Sequence, residues 1–296
     1  MKAAVLGSPI AHSLSPVLHR AAYVALGLDD WTYQAIECDE AGLPGLIESL
    51  GSAPGWAGLS LTMPLKRTVL PLLDRADPLV AATGGANTVV FRPDGRYGYN
   101  TDVQGIVDAL AQAGAPAPGS VTIVGGGATA CSALAALPRI GASGADVLVR
   151  DPARAGGLLA AAQRLHVPVR LCSLPGDDPP GTLLLPGDDP PGTPRMGGLP
   201  VPPYPPGPPG PPGLLISTVP AGVADAFADR IRTTGRAPAA VLDVVYDPWP
   251  TPLAEAASAA GAVVASGFAM LLHQAAAQVE LMTGEPAPVA AMRAAG

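Results

Sequence analysis

Three polar residues stand out in a chain otherwise rich in alanine, glycine and proline. Lys66 closes the run Gly58-Leu59-Ser60-Leu61-Thr62-Met63-Pro64-Leu65-Lys66, Asn87 sits in Gly85-Ala86-Asn87-Thr88, and Asp102 ends Gly98-Tyr99-Asn100-Thr101-Asp102. All three precede a glycine-rich turn, Gly125-Gly126-Gly127, that follows the apolar run Val121-Thr122-Ile123-Val124. A lysine, a carboxylate and amides ahead of such a turn suit proton transfer coupled to hydride transfer. An ammonium beside a ketone oxygen can stabilise the charge that grows there and then deliver a proton. A neighbouring carboxylate favours the charged ammonium and aims it. Lysine in this role replaces a Lewis acid, so no metal is expected.

The turn itself reads as a strand, a tight bend and a helix start. Gly125, Gly126 and Gly127 let the backbone bend and let a pyrophosphate approach. Ala128 and Thr129 then open a helix whose orphan N–H groups and dipole favour an anion. About 20 residues past such a turn, these folds contact the adenosine ribose. Arg150 stands there, after Val147-Leu148-Val149. A guanidinium suits a 2′-phosphate through charge-assisted bonds. Asp151 opposes it, since a carboxylate repels phosphate, and the balance favours NADP over NAD. Arg154 is a second cation one turn on, equally readable as a solvated helix charge.

Short β-type runs alternate with longer helical patterns along the chain. Ala3–Leu6, Trp31–Ile36, Gly58–Leu61, Thr88–Phe91, Val121–Val124, Asp146–Val149, Leu214–Ser217 and Val241–Val244 are predicted strands. Pro16–Leu26 is a predicted helix with Ser15 as N-cap, Pro16 at its first position and Gly27 as its stop. Ala128–Leu137 and Pro252–Ala260 are further helices, and Thr101-Asp102 opens another that stops near Gly114. A carboxylate in a first helical turn is favoured by the dipole, which is the purely structural reading of Asp102. The alternation predicts α/β architecture with mostly parallel sheets. A Rossmann-type dinucleotide-binding domain is expected at 103–251. An α/β substrate domain is expected from both chain ends, 1–102 and 252–296, with the active site in the cleft between the two.

Residues 173–213 break the alternation: 25 of these 41 positions are proline or glycine. Leu174 to Thr182 recurs as Leu185 to Thr193. Proline removes donors and fixes φ, so no packed helix or central strand is expected, and a disordered insertion of polyproline II character is the reading. A partner-docking tract is the lesser one. Net charge is −7, with only 17 Lys and Arg, which disfavours nucleic acid. Three widely spaced cysteines, Cys38, Cys131 and Cys172, form no metal or disulfide pattern and fit a reducing cytoplasm. No apolar run is long and charge-free enough to suggest a membrane span. A homodimer is compatible with the sequence, which does not fix the oligomeric state.

Six motifs in order complete the reading. To those above are added Gly7-Ser8-Pro9-Ile10-Ala11-His12-Ser13-Leu14-Ser15-Pro16, Tyr246-Asp247-Pro248-Trp249-Pro250-Thr251-Pro252-Leu253 and Gly267-Phe268-Ala269-Met270-Leu271-Leu272-His273-Gln274. Together they resemble shikimate dehydrogenase, especially its actinobacterial kind, over nearly all the chain except the Pro/Gly tract. The resemblance implies reversible NADP-linked reduction of 3-dehydroshikimate to shikimate, a step of aromatic amino acid biosynthesis. It implies that Ser13 and Ser15 hold the substrate carboxylate. Thr62, Lys66, Asn87, Asp102 and Gln274 would grip the ring hydroxyls, with Lys66 and Asp102 as the catalytic pair. Tyr246 and Gly267 would line the cleft near the nicotinamide, and Arg150 would match a cofactor arginine. Val149 and Asp151 replace the Asn and Thr that flank that arginine in the family. Ser60 and Arg20 stand where many members have Asn. Ser60 is shorter, which bears on shikimate against quinate. The alternatives are a quinate/shikimate or aminoshikimate dehydrogenase and, in another class, a non-catalytic NADP-binding regulator.

Overall fold

A computed structural model describes residues 1–174 and 213–296. The expectation of disorder within the Pro/Gly tract falls, for 175–212, outside the described residues. The chain divides into two compact units: Met1–Gly105 with Leu271–Gly296, and Ile106–Met270.

In the first unit the elements run β1 (Lys2–Gly7), α1 (Ser15–Ala25), β2 (Thr32–Glu37), α2 (Leu43–Ser52), β3 (Trp56–Leu61), α3 (Leu65–Thr68), β4 (Arg75–Ala76), α4 (Pro78–Thr83), β5 (Thr88–Arg92) and β6 (Gly95–Tyr99). They form a six-stranded sheet in the order β2-β1-β3-β5-β6-β4. The β1–β2 and β1–β3 pairs are parallel, while β5 is antiparallel to both β3 and β6. Leu6, Leu43, Ile47, Leu59, Leu65 and Val89 are buried in one of its cores. Because β1 and β3 run the same way, the loops that leave them emerge side by side, and Ser8 N–H donates to Met63 O at 3.0 Å.

Helix α1 starts one residue earlier than the sequence suggests. Leu14 is already in the right-handed helical region, so Ser15 is the first helical residue and not the N-cap, and Leu14 supplies no side-chain cap. Gly27, at φ +66°, ends the helix as expected.

The second unit holds β7 (Val121–Val124), α6 (Ala128–Ala136), β8 (Ala145–Val149), α7 (Gly156–Leu165), β9 (Val169–Ser173), β10 (Leu214–Ser217), α8 (Asp225–Thr234), β11 (Ala240–Asp243), α9 (Pro252–Ala259) and β12 (Val263–Ser266). Two helices span the division: α5 (Asp102–Ala113) leads into this unit and α10 (Gly267–Thr283) leads out, followed by α11 (Val289–Ala295). The sheet order is β12-β11-β10-β7-β8-β9, parallel throughout. Numbered within the unit this is 3-2-1-4-5-6, the Rossmann order. The return to the first unit comes near residue 271 and not at 252. The reason is that β12 pairs with β11, and α9 packs its buried Leu253, Ala256 and Ala257 into the same core. Among the described residues no helix is long and apolar enough to cross a membrane.

Candidate active site

Lys66, Asn87 and Asp102 meet. Lys66 lies on the short helix α3 just after β3, Asn87 just before β5, and Asp102 at the start of α5. Strand pairing brings these segments together: Ala86 N–H donates to Lys66 O at 2.8 Å, Asn87 N–H to Tyr99 O at 3.0 Å, and Leu61 N–H to Asn87 O at 2.7 Å. The Lys66 ammonium then donates to Asp102 Oδ2 at 2.6 Å, the two side chains being 17% and 5% exposed. Asn87 Nδ2 donates to the other carboxylate oxygen at 2.7 Å. Asp102 therefore accepts a charge-assisted bond on one oxygen and an amide bond on the other. Lys66 keeps two further N–H donors, and it is the more exposed partner.

Gln274, on α10, joins this cluster. Its Oε1 accepts from Asn87 Nδ2 at 3.2 Å, and its Nε2 donates to Leu271 O at 3.0 Å. Thr101 is bound into the cluster as well: its N–H donates to Asn87 Oδ1 at 2.8 Å. Ser13, Ser15 and Thr62 are not hydrogen-bonded to these residues. Ser13 and Thr62 lie on the neighbouring loops that leave β1 and β3 and are half-buried, and Ser15 opens α1 and is buried. Ser13 Oγ accepts the Ser15 N–H at 3.3 Å, which leaves the Ser13 hydroxyl hydrogen free to turn outward.

Of the polar layer beneath, only Ser60 stood out in the sequence, and in another role. Tyr33, Ser60, Thr88 and Gln278 are buried and joined to Asn87 by hydrogen bonds. One signal was present: Gln278 follows Gln274 by four residues, which places both on the same helix face. His19 was missed too. Its ring stacks on Tyr33 with centroids 3.9 Å apart, and burial holds its pKa down at about 4. His12, in contrast, is exposed.

In the second unit the glycine turn follows β7. Gly125 has φ +115°, and its N–H donates to Leu148 O at 2.8 Å, which ties the bend to β8. Gly127 occupies the N-cap position of α6 and supplies no side-chain cap. A Cβ placed on Gly127 would meet nothing within 4 Å. Gly127 thus brings no side chain of its own against the first turn of α6, with Ala128 and Thr129, and leaves open space beside it, as a dinucleotide pyrophosphate requires. Gly126 lies between these two glycines. Arg150 and Arg154 follow β8 and are exposed. Asp151 turns its carboxylate to the Ala153 N–H at 3.0 Å as the cap of a short turn. The residues present fit a dinucleotide with a 2′-phosphate.

Tyr246 lies on the segment after β11, where burial pushes its hydroxyl pKa up, aided by Asp247. Gly267 has a packing reason of its own. A Cβ there would fall 2.3 Å from Val244 O and 2.5 Å from Val245 O, so only glycine lets α10 begin against the segment that carries Tyr246.

A doubly wound dinucleotide-type sheet, joined to an α/β unit that carries a lysine–aspartate pair, defines a two-domain α/β protein of dehydrogenase architecture. Comparison with known proteins narrows this. Residues 5–89 match the family model of the shikimate dehydrogenase substrate binding domain, and residues 267–295 that of the shikimate 5′-dehydrogenase C-terminal domain. The chain is similar to the shikimate dehydrogenase (NADP(+)) of Citrifermentans bemidjiense, at 36% identity over 99% of this chain and 93% of the relative. It is similar to the crystal structure of Mycobacterium tuberculosis shikimate dehydrogenase, with TM-score 0.78 and 40% identity, covering 99% of this chain and 97% of the other. It is also similar to the Thermus thermophilus enzyme solved with NADP(H) and shikimate, with TM-score 0.77 and 28% identity, covering 100% and 98%. The chain belongs to the shikimate dehydrogenase family.

Proposed function

We propose that this protein catalyses the reversible, NADP-dependent reduction of 3-dehydroshikimate to shikimate. The observation that carries the reading is the Lys66–Asp102 pair at 2.6 Å, braced by Asn87 and Gln274 within a family that performs this chemistry. NADPH, when bound, supplies the hydride to the ring ketone carbon. Lys66 meets the ketone oxygen with its free N–H groups, stabilises the charge developing there and donates the proton. Asp102 aims the Lys66 ammonium through their 2.6 Å bond and accepts from the adjacent ring hydroxyl. Ser13 and Ser15 offer hydroxyls to the substrate carboxylate, and Thr62 and Gln274 complete the hold on the ring. The N-terminus of α6 from Gly125 to Thr129 holds the pyrophosphate, Arg150 the 2′-phosphate, and Tyr246 and Gly267 border the nicotinamide.

The substrate travels to and from the site as a free small molecule, and the cytoplasm is the compartment such chemistry suits. A homodimer is compatible with this reading and not required by it.

A rate panel tests the proposal: shikimate, quinate and aminoshikimate, each with NADP and NAD. The expected result is the highest kcat/KM for shikimate with NADP. Highest kcat/KM on quinate or aminoshikimate would reassign the substrate. NADPH binding without turnover of any of the three would make the protein a non-catalytic nucleotide-binding regulator.

A further inference from the structure

The polar layer beneath the site has a direction. Gln278 Nε2 donates to Asn87 O at 3.2 Å and to Thr88 Oγ1 at 3.0 Å. A carbonyl oxygen only accepts, so the amide nitrogen of Gln278 must face it, and Gln278 Oε1 must face the other way. That oxygen accepts from Ser60 Oγ at 2.7 Å. With its one hydrogen so used, Ser60 can only accept from Tyr33, whose hydroxyl donates at 2.7 Å. On the other side, Thr88 Oγ1 accepts from Gln278 and gives its hydrogen to Asn87 Oδ1 at 2.8 Å. The Thr101 N–H reaches the same oxygen at 2.8 Å. The backbone N–H can only donate, so it requires the Asn87 carbonyl to face it, and the Thr88 hydroxyl holds the carbonyl there with a second bond. Its NH2 group is thereby turned toward Asp102, which it meets at 2.7 Å.

The alternative orientation of Asn87 would set a carbonyl oxygen against the Asp102 carboxylate and remove the donor that balances Lys66. We propose that Thr88 and Gln278 are positioning residues for the reaction: through a one-way chain of hydrogen bonds, backed by Ser60 and Tyr33, they fix which end of the Asn87 amide faces the catalytic carboxylate. All five side chains are at most 3% exposed, so water cannot substitute for a lost link at low cost. The inference rests on the proposed reaction, because it concerns the same lysine–aspartate pair.

The test compares Thr88→Val, which keeps shape and burial, with Thr88→Ser, which keeps the hydroxyl, alongside Gln278→Met. Shikimate oxidation is measured as kcat and KM separately, with melting temperature for each variant. Removing one neutral link lowers kcat by about tenfold in Thr88→Val and Gln278→Met, with KM changed by less than about threefold. Thr88→Ser recovers most of that loss even if its melting temperature falls further than that of Thr88→Val. Native kcat in both Thr88→Val and Gln278→Met overturns the proposal, as does a kcat that follows melting temperature and not the hydroxyl. A second measurement needs no turnover: the NMR signals of the Asn87 side-chain amide, which should shift in Thr88→Val and return in Thr88→Ser. Unchanged signals sink the inference, and a shift supports it even where wild-type protein turns over no shikimate, a result that would count against the proposed reaction alone. Should Thr88→Val not fold, Gln278→Met read by the same signals decides.

Discussion

His19 should make this protein acid-sensitive through one residue. The imidazole is fully buried and stacked on Tyr33, and its Nδ1 lies 2.9 Å from Ser15 O. A carbonyl only accepts, so Nδ1 carries the hydrogen and Nε2 is left as a buried lone pair without a partner among the described residues. Burial lowers the pKa to about 4, the bond to Ser15 opposing it only in part. In the unfolded chain a histidine titrates near about 6.5. The unfolded state therefore takes up a proton below that pH, while the folded state takes it up only near the lower value. The neutral ring contributes its full stability above the unfolded pKa and loses it as pH falls across the window between the two. At 1.36 kcal/mol per pH unit, the loss between pH 7 and pH 5 is about 2 kcal/mol. His19→Phe keeps a ring against Tyr33 and removes the titration. Urea unfolding of both proteins at the two pH values gives the comparison, because the carboxylates titrate alike in each and cancel. Wild type should lose about 2 kcal/mol more than the variant. Equal losses would show that the imidazole is not held neutral in the core, and the reasoning would fail.

Lys66→Ala should cut kcat by a few hundredfold, the usual cost of about 3–4 kcal/mol for losing a group that stabilises developing charge, while shikimate KM moves far less; near-native turnover would remove Lys66 from the chemistry. Arg150→Gln should raise KM for NADP by about tenfold and leave KM for NAD nearly unchanged, as expected for one charge-assisted bond to a 2′-phosphate; parallel changes in both would place the phosphate elsewhere. Gly267→Ala forces a methyl group against Val244 O and Val245 O, so it should cost about 1–3 kcal/mol of stability, read as a lower melting temperature. It should also weaken NADPH binding if Tyr246 borders the nicotinamide. An unshifted melting temperature would mean the backbone there yields at no cost.

What could be read from the sequence was local. The glycine turn after an apolar run, Arg150 at the end of the next strand, and Lys66, Asn87 and Asp102 at the ends of their elements each depend on a few adjacent residues. Features that depend on distant pairing were not legible. β6, Gly95-Arg96-Tyr97-Gly98-Tyr99, is the exception, a local feature passed over: it pairs with β5 directly across the turn Pro93-Asp94, but its two glycines and arginine mask the strand pattern. The second unit's boundary was set by the pairing of β12 with β11, which no run of four residues announces. Ser60 shows the same limit within the site. By the family resemblance it read as a shorter stand-in for Asn that bears on shikimate against quinate. In the fold it is 3% exposed, and its only hydrogen is committed to Gln278, 218 residues away in sequence. A serine so placed gives its hydrogen to Gln278 and so backs the orientation that the Asn87 backbone carbonyl imposes on that amide. The departure that bore on substrate choice in the sequence is thus, in the fold, a buried link of a hydrogen-bond chain that ends at Asn87.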